Sequence, residues 1–103
     1  MAEQPQAPQG PQVQIKADEK ELVGQYSNLA MIHHNPEEFT LHFIYVFSDA
    51  SHGKLLSSVI VSPGHAKRFW RALGENIARF EAQFGTIREG ATPTPPGSVG
   101  FVQ

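Results

Sequence analysis

Phe39-Thr40-Leu41-His42-Phe43-Ile44-Tyr45-Val46-Phe47 carries an aromatic or Leu side chain at every odd position. Successive side chains of a strand point to opposite faces, so this spacing predicts a strand with Phe39, Leu41, Phe43, Tyr45 and Phe47 on one buried face. The even face, with Thr40, His42, Ile44 and Val46, is mixed. Upstream, Asn35-Pro36-Glu37-Glu38 reads as a turn: Pro36 presets φ, and the Asn35 side chain can bond the backbone that follows. Before it, Tyr26 to His33 reads as a strand with apolar residues on both faces, and Val13 to Lys16 alternates as a short half-buried strand would. Asp18-Glu19-Lys20-Glu21 between them reads as a charged turn.

Downstream, Leu55 to Val61 reads as a further strand, ending in β-branched residues. The period then changes. Ser62 is a good N-cap and Pro63 sits at the first helical position, where its missing N–H costs nothing. Ala66, Phe69, Trp70, Leu73, Ile77, Phe80 and Phe84 form one apolar stripe at 100° per residue, and Gly85 marks the end. The expected class is α+β: a four-stranded antiparallel β-meander followed by one long amphipathic C-terminal helix (β-β-β-β-α), the helix lying across one sheet face. On that arrangement Trp70 is buried against Phe43 and Tyr45.

The ends differ in composition. Residues 1–12 hold four Gln and three Pro, and the segment 89–103 contains Thr92-Pro93-Thr94-Pro95-Pro96-Gly97. Neither has enough apolar surface to offset its ordering entropy, so a single α+β domain at 13–88 is expected between a disordered Gln/Pro-rich tail and a Pro-rich flexible one. No apolar run approaches the roughly 20 residues that cross a bilayer. The N-terminal residues lack the basic and apolar regions of a secretory signal. With no cysteine among 103 residues, thiolate metal sites and cysteine nucleophiles are excluded, and a cytoplasmic location is expected.

Two strings carry a family resemblance. Tyr26-Ser27-Asn28-Leu29-Ala30-Met31-Ile32-His33-His34-Asn35-Pro36-Glu37-Glu38-Phe39 is one; the other is Val59-Ile60-Val61-Ser62-Pro63-Gly64-His65-Ala66-Lys67-Arg68 with Ala72-Leu73-Gly74-Glu75-Asn76-Ile77 after it. They resemble the hallmarks of small bacterial proteins known as domain of unknown function 3467. The resemblance implies no assigned activity and no catalytic residue to carry over. The β-β-β-β-α order is also similar to that of SecB-type export chaperones and nucleic-acid-binding PUR repeats, at the level of topology alone.

The chemistry-bearing residues are sparse. His33 and His34 are adjacent, so a strand aims them at opposite faces, and His42 approaches one of them only in a suitable register. Glu37 and Glu38 sit in a turn without a cleft. Ser57 and Ser58 lack a nucleophile-elbow pattern. No catalytic, cofactor-binding or metal site is therefore expected, and no enzyme. Ser62-Pro63-Gly64-His65 offers free N–H groups to an anion, as any helix start does.

Charge is asymmetric: residues 1–53 carry two basic and seven acidic side chains, and residues 54–88 six basic and two acidic. Lys67, Arg68, Arg71 and Arg79 share the outer helix face and form a possible anion or nucleic-acid contact. The aromatics that single-strand binders stack on bases belong here to the apolar stripe instead, so nucleic acid is not the favoured partner. Ile44 and Val46, with His42, form a reverse sheet face with no evident cover within one chain, a possible oligomer interface. The expectation is a non-enzymatic, self-associating module, a homodimer or dimer of dimers, with a protein-interaction or structural role. The alternatives are a nucleic-acid binder using the basic helix face and a peptide-binding, chaperone-like oligomer.

Overall fold

The structure is a computed structural model and describes residues 12–90 and 99–102. Its order is α1 (Glu19–Val23), β1 (Leu29–His34), β2 (Phe39–Val46), β3 (Gly53–Val61) and α2 (Pro63–Phe84). The three strands form one antiparallel sheet in sequence order, with β2 central. The fold is α+β, three strands and a C-terminal helix. The expected strand at Val13–Lys16 does not form. Val13 and Ile15 are each 87% exposed, because nothing pairs with that segment and two apolar side chains cannot hold a strand without a ladder. The β-β-β-β-α likeness to SecB-type and PUR topologies loses its first strand accordingly.

The charged stretch is helical rather than a turn. The Asp18 N–H donates to Glu21 Oε1 at 3.0 Å, and the Asp18 carbonyl accepts from Glu21 and Leu22. A reciprocal cap of this kind starts even a one-turn helix. The turn after β1 forms as its sequence predicts: Asn35 Oδ1 accepts the N–H groups of Glu37 and Glu38 at 2.8 and 3.0 Å, and the Asn35 N–H donates to the Glu38 carbonyl. The hairpin between β2 and β3 is longer. Ala50 takes a positive φ of 60°, and Gly53 faces Val46 where a Cβ would lie 2.9 Å from the Tyr45 carbonyl oxygen.

Register sorts the sheet into two faces. Leu29, Met31, His33, His42, Ile44, Val46 and Leu55 share one, here the even face. Ala30, Ile32, His34, Phe39, Leu41, Phe43 and Tyr45 share the other, the odd face. A bulge opposite Phe43–Ile44 leaves Leu56 as the extra residue of β3.

Burial reverses the expected assignment of the core. Among the described residues the buried hydrophobics are Ile44 and Val46, 4% and 7% exposed, both on the even face. Residues of the hairpin and residues 99–102 line a cavity on that face together with them. The odd face of β2 is only half-buried.

The helix explains the reversal. α2 begins and ends where its caps predict: Ser62 Oγ accepts the His65 N–H at 3.1 Å, Pro63 opens the first turn, and the Gly85 N–H meets the Glu81 carbonyl. Yet α2 packs against neither sheet face. Trp70 is 68% exposed instead of buried on Phe43 and Tyr45, and Phe84 is 66% exposed. The cause is the connection. β3 ends at Val61 and α2 starts at Pro63, so Ser62 alone joins them. From Val61 to Pro63 the backbone reaches about 7 Å at most, whereas packed layers sit about 10 Å apart. Connections that turn a helix back over its sheet usually take 2–6 residues. The helix leaves the sheet end as an arm, and the radius of gyration is 17.7 Å where a compact domain of this length has about 13 Å.

Candidate interaction surfaces

Three surfaces hold the residues that could act. The first is the apolar stripe of α2, where Phe69, Trp70, Leu73, Ile77, Phe80 and Phe84 are all exposed. Phe80 and Phe84, one turn apart, pack ring to ring at 4.9 Å, and both stay exposed. An uncovered row of this length is far more apolar than a solvated helix face.

The second surface is the odd sheet face. Tyr45 meets Tyr26 edge-on at 6.2 Å and Phe47 at 5.6 Å, and His34 stacks on Phe39 at 5.4 Å. These contacts run sideways along the sheet. Among the described residues no helix or strand lies above them: Ile32 and Val59 are exposed, and Leu41 and Phe43 are half-buried. The first two surfaces are an apolar helix face and an apolar sheet face, each without its usual counterpart.

The third is the even face, with a cavity of about 740 Å³ between His42, Ile44, Val46 and Leu55 on one side and Val99 to Val102 on the other. Phe101 sets its ring edge-on to His42 at 5.2 Å. The possible interface residues His42, Ile44 and Val46 thus come together, beneath residues of their own C-terminal segment. That segment falls within the expected flexible tail; the expected disorder of residues 1–11 and 91–98 lies outside the described residues. Sequence reasoning missed Asn28, which clasps the end of β2. Its Oδ1 accepts the Val46 N–H at 2.8 Å and its Nδ2 donates to the Val46 carbonyl at 3.0 Å. An Asn just before a strand carries no periodic signal, so only the folded chain exposes this role.

The histidines divide as alternation requires. His34 is on the odd face, and the register brings His33 to His42 on the even face, ring centroids 5.5 Å apart. Among the described residues no group of three or more His, Asp or Glu side chains converges to hold a metal. His42 Nδ1 lies 2.7 Å from Ser58 Oγ. A nucleophilic pair also needs a group orienting the base and N–H donors for an oxyanion, and Ser58 sits mid-strand opposite His42 in the ladder. In the hairpin the Ser51 N–H donates to Asp49 Oδ1 at 3.0 Å, and this bond holds the Asp49 carboxyl below the usual carboxylate range.

The family model described as protein of unknown function (DUF3467) matches residues 1–89. The chain belongs to the DUF3467 family. The match spans α1, the whole sheet and α2, so all the elements of this DUF3467 chain are family structure. No curated protein and no solved structure matches it.

The basic residues of the DUF3467 helix, Lys67, Arg68, Arg71 and Arg79, lie opposite its apolar stripe and are all exposed. Arg79 is 3.8 Å from Glu75 one turn earlier, a solvated pair of small energetic weight. At the helix start Ser62 already takes one of the free N–H groups, and no buried polar side chain points at the rest. No described helix is long and apolar enough to cross a membrane.

Proposed function

We propose that this DUF3467 chain is a non-enzymatic, self-associating protein-interaction module. The observation that carries the reading is that, among the described residues, the α2 stripe is exposed and packs on no strand while the odd sheet face lacks a layer. Domains of this size are marginal even with a full core, and two buried side chains are far from one. A closed symmetric assembly supplies the missing layer from the same sequence. The absence of an enzymatic role is supported by the scatter of the polar groups: Glu37 and Glu38 in a turn, Asp49 in a hairpin, the His33–His42 pair on an open sheet face. The basic face of α2 carries no stacking aromatics, so nucleic acid is not the favoured partner. A reducing, cytoplasmic setting suits a chain without cysteine.

Sedimentation equilibrium tests the reading. At micromolar concentration the protein should run at twice 11.3 kDa or a higher multiple, with a melting temperature that rises with concentration. A species at 11.3 kDa with a concentration-independent melt overturns it.

A further inference from the structure

We infer that two copies assemble by reciprocal helix exchange, α2 of each lying with its apolar stripe across the odd sheet face of the other; the inference rests on the self-association reading and specifies its geometry. The occupant of both open surfaces is a second copy of this chain.

The short connection works against the intrachain arrangement. Ser62 is the single residue between β3 and α2, and its side chain is committed to the cap. Strain or brevity at a hinge is what converts an intrachain packing into an exchanged one. The dimensions then match. Ala66 to Phe84 extends about 27 Å along a helix at 1.5 Å per residue. Phe39 to Val46 extends about 24 Å along a strand. Three strands are about 14 Å wide, so one helix about 10 Å across covers most of the face.

Exchange also satisfies both surfaces at once. A two-fold axis places each stripe on the partner's Leu41, Phe43 and Tyr45, and no apolar layer is left over. Pairing α2 with α2 alone would cover the stripes and leave both odd faces in water.

The chain has no cysteine, so single introduced thiols report without background. Ala30→Cys places one on the odd face of β1, and Leu73→Cys places one in the middle of the α2 stripe. Ala66→Cys, a smaller change in the same stripe, repeats the measurement should Leu73→Cys fail to fold. The two variants, one carrying a size tag, are unfolded together, refolded and treated with a short bis-maleimide. Exchange predicts that the mixed sheet–helix product dominates over either like-with-like product. A dominant helix–helix product, or an intrachain link in the doubly substituted chain, overturns exchange and leaves self-association standing. A protein sedimenting at 11.3 kDa removes the underlying reading as well. A second measurement acts on the cause. Inserting Gly-Ser-Gly-Ser between Val61 and Ser62 gives α2 enough chain to fold back, and the sedimenting mass should halve with helix content unchanged. An unaltered multiple mass shows that the one-residue link does not drive exchange and overturns the inference.

Discussion

Asn28 is where a single side chain does most for the sheet. It meets the backbone of Val46 with both its donor and its acceptor, and its own N–H donates to the Ile44 carbonyl at 3.1 Å, just before β1. Ser27 adds a bond to the Ile44 carbonyl at 2.9 Å, so two adjacent small polar residues hold the end of β2 that carries the buried pair. Asn28→Ala leaves a Val46 N–H and carbonyl without partners in a half-buried site, and should destabilise the fold by about 1–3 kcal/mol in chemical denaturation. An unchanged midpoint would mean that water replaces the amide at no cost. The neighbouring hairpin shows a local compromise. Ala50 holds a positive φ that Gly or Asn adopts more easily, and its N–H bonds the Phe47 carbonyl at 2.8 Å. Of the sequence's readings at this scale, the Asn35 turn is visible directly, because Asn-Pro chemistry acts within four residues. The Asn28 clasp spans 18 residues and is not.

At the scale of elements, α2 is the most legible part of the chain. Ser62, Pro63 and Gly85 delimit it locally, and its stripe follows from spacing alone. The strands are legible to within a few residues, because alternation survives whatever covers them. The Val13–Lys16 strand failed because alternation over four residues is not enough without a neighbour to supply a ladder. The C-terminal segment is the converse: Val99 to Val102 has no periodicity, yet it lines the same cavity as Ile44 and Val46. Removing residues 99–103 should lower stability by about 1–2 kcal/mol, the value of returning part of two aliphatic side chains to water. Differential scanning calorimetry measures it, and an unaltered melt would show that the hairpin alone buries the pair.

The whole molecule is an incomplete layer structure. Among the described residues the sheet buries Ile44 and Val46 on its even face, where Leu55 and Ile60 stay exposed, its odd face is half-buried at best, and the apolar side of its helix is exposed. Trp70, the one tryptophan, sits in that stripe and reports on it. Under the proposed assembly its fluorescence should shift to shorter wavelength as concentration rises through the association range. Trp70→Glu should then lower the sedimenting mass to that of one chain, because a carboxylate in the covered stripe is left without a partner. Emission independent of concentration would place Trp70 outside any interface. Coupling of this kind makes stability inseparable from concentration, as in other dimers without a stable folded monomer.

The sequence by itself determined the parts: the α+β class, the bounds of α2, the Asn35 turn and which residues of each element share a face. These follow from periods of 2 and 3.6 and from caps, all of which act over a few residues. Tertiary structure alone decided which face is covered and by what. The odd face, richer in aromatics, looked like the core, yet Ile44 and Val46 on the other face are the buried pair. It also decided that His33 meets His42, which depends on a strand register no local pattern specifies. The physical reason is the same in both cases. An amphipathic pattern states that a surface needs cover, whereas the cover is set by chain connection, and here a one-residue link keeps the helix off its own sheet.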